Sequence, residues 1–262
     1  MEIKRSFNSN LLQNKRIIVA GGSSGIGASF AHLASNLGAI LILVGRDKNK
    51  LKSTIDSLKK NDNEAHSFFS CDLSSFDGSN DFFNKMRTKF SPLDGIVWSA
   101  GKELIKNSRI VSNKDIIESF GVSTFGFLGA VKSFSSKRFW NKNGGSVVII
   151  SSIASKKGQP GMTVYSASKA SYLGIISPLA KELSSFNTRV NMISLGAVET
   201  QMHSRILSHL TEEAISEYRD KHLFGFGQTE DVTPMITYLL SGLSKWITGT
   251  NIVIDGGYCV NT

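Results

Sequence analysis

Ala20-Gly21-Gly22-Ser23-Ser24-Gly25-Ile26-Gly27 joins a short β-branched run, Ile17–Ala20, to a segment of helical period at about Gly25–Leu37. Gly21 lets the chain turn sharply off a strand, Gly25 lets backbone approach a ligand phosphate, and Gly27 permits a helix to pack closely on the strand. A phosphate placed there meets the unpaired N–H groups and the positive dipole end of the helix. Glycines alone are common in turns. Their position between a first strand and a helix is what marks a dinucleotide site.

The pattern continues outward from this turn. Further strand-like runs are Ile40–Val44, Ser67–Ser70, Gly95–Trp98, Ser146–Ser151, Arg189–Ile193 and Asn251–Ile254. Helix-length segments lie between them, at about Lys48–Lys60, Phe76–Phe90, Asn113–Ser135, Thr163–Phe186 and Glu230–Ser241. The runs are continuously apolar instead of alternating, which suits a parallel sheet covered on both faces. Strand then helix, repeated, predicts an α/β doubly wound, Rossmann-like fold with right-handed crossovers. No Pro/Gly/Ser linker and no internal repeat divides residues 1–262, so one domain is expected. Residues 196–228 break the alternation. They carry Met202, Ile206, Leu207, Leu210, Leu223, Phe224 and Phe226 among polar residues. Following a strand end, where open α/β sheets bind ligands, they are expected to form a substrate flap, the alternative being a helical excursion that simply packs on the sheet.

Composition limits the function classes. Apolar residues make up 40% of the 262 and charged ones 19%, enough for a core and too apolar for a disordered chain. No apolar run reaches the length of a membrane span, and Met1–Arg16 lacks the apolar centre of a secretory signal. Cys71 and Cys259 stand far apart with no CxxC spacing, which fits a reduced, cytoplasmic protein. Thirty Lys+Arg against 21 Asp+Glu leave +9, but the basic residues are scattered and no nucleic-acid motif accompanies them. A solvated basic surface or an acidic partner is the better reading. The five histidines show no metal-ligand spacing, and Ser152 has no G-x-S-x-G context, so neither a metal site nor hydrolase chemistry is expected.

The spacing G-x-x-x-G-x-G resembles that of the short-chain dehydrogenase/reductase family, whose usual form is T-G-x-x-x-G-x-G; Ala20 stands at the Thr position. The resemblance runs over about residues 11 to 258. Cys71-Asp72-Leu73 looks like the adenine-contacting segment, and Ala100-Gly101 like the end of the N-N-A-G motif. Thr248-Gly249-Thr250 and Asp255-Gly256-Gly257 look like the closing strand. The resemblance implies a nicotinamide dinucleotide held by Gly21, Ser23, Ser24, Gly25, Ile26 and Gly27. It adds Asp72 and Leu73, Ser99, Ala100 and Gly101, and Val198 and Thr200. The second strand ends Val44-Gly45-Arg46, with Gly45 where an NAD-selective site places a carboxylate. Arg46, with Lys48 nearby, can grip a 2′-phosphate, so NADP(H) is favoured over NAD(H). The alternative has Asp47 receiving the ribose hydroxyl while Arg46 begins a solvated helix.

Tyr165 and Lys169 are four residues apart in a helical segment and share a face. A phenol is a poor acid–base group at neutral pH unless a neighbour stabilises its phenolate, as an ammonium does. Ser152 lies 13 residues upstream at a strand end, matching the family's Ser-Tyr-Lys arrangement. The resemblance implies that Ser152 binds the substrate oxygen and Tyr165 exchanges its proton. Lys169 would lower the tyrosine pKa and hold the nicotinamide ribose, and both Tyr165 and Lys169 would touch the cofactor. The family's relay Asn is missing: Ser123 stands at its position, and no Asn lies between Asn113 and Asn141. Trp98-Ser99-Ala100-Gly101 lacks both asparagines of the N-N-A-G motif, and Leu195-Gly196 replaces the usual Pro-Gly.

The expected protein is thus an NADP(H)-dependent oxidoreductase that moves a hydride between nicotinamide and a ketone or secondary alcohol. The resemblance points first to an acyl-thioester ketoreductase meeting an acidic carrier. A sugar or small-polyol enzyme and a low-turnover binding protein are the alternatives. Lys156-Lys157 could meet an acidic substrate or simply be solvated. A homodimer or homotetramer is expected through two long helices bearing Phe120, Phe125, Phe127 and Phe134 on one, and Tyr172, Ile176 and Leu179 on the other. Neither nucleic acid nor membrane is an expected partner.

Overall fold

A computed structural model of the chain describes residues 10–208 and 210–261. The apolar runs form β1 (Arg16–Ala20), β2 (Ile40–Gly45), β3 (Ser67–Ser70), β4 (Gly95–Trp98), β5 (Ser146–Ser152), β6 (Arg189–Leu195) and β7 (Asn251–Ile254). They pair in parallel as one seven-stranded sheet in the order β3-β2-β1-β4-β5-β6-β7. Ile17, Ile18, Val19 and Ala20 are all buried, as a strand covered on both faces requires.

Helices follow the strands: α1 (Gly25–Asn36), α2 (Lys48–Ser57), α3 (Phe76–Phe90), α4 (Asn113–Phe120), α5 (Gly126–Phe134), α6 (Thr163–Ser184), α7 (Gln201–Leu207), α8 (Glu212–Asp220) and α9 (Thr229–Leu240). Their starts are chemically specified. Asp47 caps α2, Ser75 caps α3, and Ser112 with Asp115 closes a capping box on α4. One face of the sheet carries an aromatic core, with Phe83, Trp98, Phe127, Phe134, Phe139 and Tyr172 all buried. The other carries an aliphatic core built on Ile17, Val19, Leu41, Leu43, Val97 and Val148.

One expected helix is broken. Asn113–Ser135 reads as a single helix, yet α4 and α5 are separated by a π-helical stretch, Gly121–Phe125. Inside it the Ser123 hydroxyl donates to the Ser119 carbonyl at 2.6 Å, a local bond that competes with the regular ladder. Residues 196–228 become a two-helix excursion, α7 and α8, whose ends meet in a parallel bridge between Val198 and Gly227. β1 and β4 are neighbours although two strands intervene in sequence, so the strand order reverses there. A crevice opens at such a point, beyond the carboxyl ends of the strands.

Candidate active site

The crevice is a cleft of about 1040 Å³. Its floor begins at the glycine turn, where Gly21 has φ +87° and Gly25 φ +53°. A Cβ on Gly21 would lie 2.7 Å from Ala100 N, and one on Gly27 would collide with the Gly21 carbonyl. Only glycine lets these three segments meet. Ser24 caps α1 without a side-chain bond, and the first turn holds no acidic residue, so its N–H groups stay available to a phosphate. Gly21, Ser23, Ser24, Gly25 and Ile26 line the cleft, while Gly27 is buried beneath them.

At one end stand Gly45, Arg46, Asp47 and Lys50. Arg46 is exposed, with its carbonyl held by Ser70 Oγ at 2.8 Å. The Asp47 carboxylate accepts from Lys50 N at 3.0 Å and is thereby engaged as a helix cap. Asp72 accepts from Ser74 N at 3.0 Å, and it lines the cleft together with Leu73. Ser99, Ala100 and Gly101 form the adjoining wall. Val198 and Thr200 close it from the β6 side; the Thr200 hydroxyl accepts from His203 N at 3.2 Å. These residues fit a nicotinamide dinucleotide: free helix N–H groups at the centre for its phosphates, and Arg46 with Asp47 at one end of the cleft.

Ser152, Tyr165 and Lys169 converge at the other end. Ser152 ends β5, and its Oγ accepts from Ala154 N at 3.1 Å. Tyr165 and Lys169 lie one turn apart on α6, and the Tyr165 hydroxyl is hydrogen-bonded to Ser152. Lys169 is only 6% exposed, and its Nζ donates to the Ile150 carbonyl at 3.3 Å. That ammonium sits 5.8 Å from the Tyr165 ring centroid and 5.7 Å from the Tyr172 ring centroid. Burial pushes the Tyr165 phenol well above its ordinary value, Glu103 pushes it further, and the Ser152 bond pulls it back. Burial also lowers Lys169 to about 8.

Ser123 lies behind the cleft wall: it is 1% exposed, its hydroxyl donates to the Ser119 carbonyl at 2.6 Å and its carbonyl accepts the Tyr172 hydroxyl at 2.7 Å. Glu103 and Tyr218 are among the cleft residues that escaped the sequence reading. Glu103, just beyond Gly101, is half-buried and raised by burial to about 7. Tyr218 on α8 is pushed up to about 12, chiefly by burial. No motif flags either, since the course of a loop and of an excursion brings them in. Lys157 also lines the cleft, donating to the Cys259 carbonyl at 2.9 Å, and Gln159 is bonded to the Tyr258 hydroxyl beside it.

Residues 20–259 match the family model described as enoyl-(acyl carrier protein) reductase. The chain is similar to 3-oxoacyl-(acyl-carrier-protein) reductase of Mus musculus, 31% identical over 246 residues, or 93% of this chain and 98% of the relative. It is similar to 3-oxoacyl-(acyl-carrier-protein) reductase FabG of Chlamydia muridarum, 31% identical over 249 residues, with 95% and 98% covered. Among solved structures it is similar to a short-chain type dehydrogenase/reductase from Mycobacterium ulcerans. There the TM-score is 0.86 at 27% identity, over 95% of this chain and 91% of that one.

Proposed function

This chain belongs to the short-chain dehydrogenase/reductase family of oxidoreductases, and on that premise we propose that it is a cytoplasmic, homo-oligomeric, NADPH-dependent ketoreductase acting on a 3-oxoacyl thioester. The observation that carries this reading is the convergence of Ser152, Tyr165 and Lys169 in the same cleft as the glycine turn and Arg46. NADPH, when bound, supplies the hydride. The protein handles the proton. Ser152 and Tyr165 hold the substrate oxygen between two hydroxyls, orienting the carbonyl. A phenol raised by burial keeps its proton at neutral pH and gives it up only to a strongly basic oxygen, as that oxygen becomes when hydride arrives at its carbon. This suits reduction. Lys169, at about 8, is mostly charged at pH 7 and steadies the negative oxygen left on Tyr165.

The carrier-bound substrate is supported by the named activities of both curated relatives and by the net charge of +9, which suits an acidic carrier protein. One observation favours a second reading. Glu103 adds a carboxyl to the cleft, and carboxylates accept hydrogen bonds from the hydroxyls of a sugar or small polyol. Oxidation of NADPH with a 3-oxoacyl carrier thioester, compared with polyol ketones, separates the two. Fluorescence titration tests the cofactor. NADPH should bind at least about tenfold tighter than NADH, ~1.4 kcal/mol, and Arg46→Ala should erase the difference. Equal affinities in the wild type would sink the NADPH assignment.

A further inference from the structure

Each reduction removes one proton from Tyr165, and in a buried site it has to return through titratable groups or water. The groups around the Tyr165–Lys169 pair leave few routes. Behind Lys169 lies the Ile150 carbonyl, which accepts a hydrogen bond but carries no proton. Beside it the Tyr172 hydroxyl donates to the Ser123 carbonyl and the Ser123 hydroxyl to the Ser119 carbonyl, with all three side chains buried. That side is closed. The opposite side is different. Gly101 has no side chain where a Cβ would stand 3.1 Å from Lys169 Nζ. Two residues on, Glu103 lines the cleft with a carboxyl that makes no hydrogen bond or ion pair among the described residues. Its flanking lysines are engaged elsewhere on α4, Lys102 with Glu118 and Lys106 with Asp115 at 2.6 Å.

We propose that Glu103 is a proton-relay residue, acting through Lys169 to return to Tyr165 the proton lost in each turnover. This rests on the reading of Tyr165 as the proton donor. After Tyr165 gives its proton to the substrate oxygen, its phenolate takes one from the Lys169 ammonium. The resulting amine takes one from the Glu103 carboxylic acid through bridging cleft water, and the carboxylate is reprotonated by water at the cleft mouth. The hydride carries the only electron pair that changes molecules. The order of basicity supports the direction. Burial holds Glu103 at about 7 and Lys169 at about 8, while Tyr165 lies far above both, so each transfer runs to the stronger base. The charged and titratable groups facing Glu103 are Lys169 and Tyr165 from α6 and Tyr218 from α8. Lys157 and Tyr258 share the cleft.

The test uses Glu103→Gln and Glu103→Asp in the full chain. In Glu103→Gln, kcat for NADPH-dependent reduction should fall at least about tenfold while the KM for NADPH and the Tm hold. In the wild type kcat should decline above about pH 7; in Glu103→Gln that decline should be absent, and Glu103→Asp should restore part of the rate. A Glu103→Gln enzyme with wild-type kcat and an unchanged pH profile overturns the relay. A second arm needs no turnover. Carbon-13 NMR of glutamate-labelled protein should show one carboxyl titrating near 7, absent in Glu103→Gln and moved upward by Lys169→Ala. A Glu103 carboxyl with an ordinary midpoint, indifferent to Lys169→Ala, also overturns it. If the wild type reduces no ketone, the functional reading falls separately, and the carboxyl titration then decides the coupling by itself.

Discussion

Tyr165 illustrates what one residue in a pattern can and cannot reveal. Its pairing with Lys169 was legible because a helical turn encodes it, and Ser152 because it ends an apolar run. The electrostatics were not legible, since burial dominates at Tyr165 and Glu103 arrives from a separate loop. Tyr165→Phe keeps the ring and removes the proton, so turnover should fall at least ~10²-fold with NADPH affinity unchanged. Steady-state rates and a binding titration check both halves; near-normal turnover would assign the proton to another group. Position 123 is a different lesson. The absent Asn reads as a weakened relay, whereas the geometry shows a serine bound into its own helix and 1% exposed. Ser123→Asn should therefore overpack the site, costing about 1–3 kcal/mol of stability without raising turnover. Chemical denaturation measures the cost, and a faster, equally stable variant would contradict it.

At the scale of elements, the central strands were legible almost to the residue because β1, β2 and β4 are buried on both faces and carry unbroken apolar runs, Ile17–Ala20, Ile40–Val44 and Ile96–Trp98. The break between α4 and α5 was hidden, since Gly121–Phe125 contains no proline and the apolar residues on either side continue in helical period. The excursion over 196–228 was visible only as a lapse in the alternation. What ties it down is His222, buried against Tyr258 with ring centroids 4.7 Å apart. Its Nε2 accepts the Ala197 N–H at 3.2 Å, which leaves the proton on Nδ1 facing the Tyr218 carbonyl at 3.1 Å. A second proton on this ring would point N–H at N–H. Burial accordingly lowers the His222 pKa from 6.5. The folded state then binds fewer protons than the unfolded one, so stability is full above the unfolded value and falls as pH drops through it toward the lower folded value. Urea midpoints should decline between about pH 7.5 and 5.5, and less steeply in His222→Gln, which keeps an acceptor but does not titrate. His203, lowered chiefly by burial and in lesser part by His222, still titrates in the variant, so its share of the decline persists there.

The molecule as a whole has more apolar surface than its cleft explains. Phe127 and Phe134 are core residues, and so are Tyr172, Ile176 and Leu179, so the expectation that α6 offers these three to a partner is corrected: they face the sheet. The α4–α5 side is another matter. Ile116, Ile117, Phe125 and Leu128 are exposed there, Phe125 by 45%, although Ile117 also borders the cleft. A second group lies by the open edge of the sheet, where Leu243 and Val253 are exposed and Trp246 is 97% exposed. An open strand edge flanked by apolar side chains invites pairing unless another chain covers it. Two separate patches on one chain can each close about their own two-fold axis, and together they build a tetramer of two-fold symmetry. Light scattering at micromolar concentration should therefore give a tetramer. Phe125→Glu and Trp246→Glu should each reduce it to a dimer, and the double variant to a monomer. Because Ile117 joins the first patch to the cleft, Phe125→Glu should also raise the KM for substrate, whereas Trp246→Glu should leave it alone. A wild-type monomer would refute the assembly. A Trp246→Glu protein that remained tetrameric would show that the sheet edge is free and that the α4–α5 face acts with some other surface.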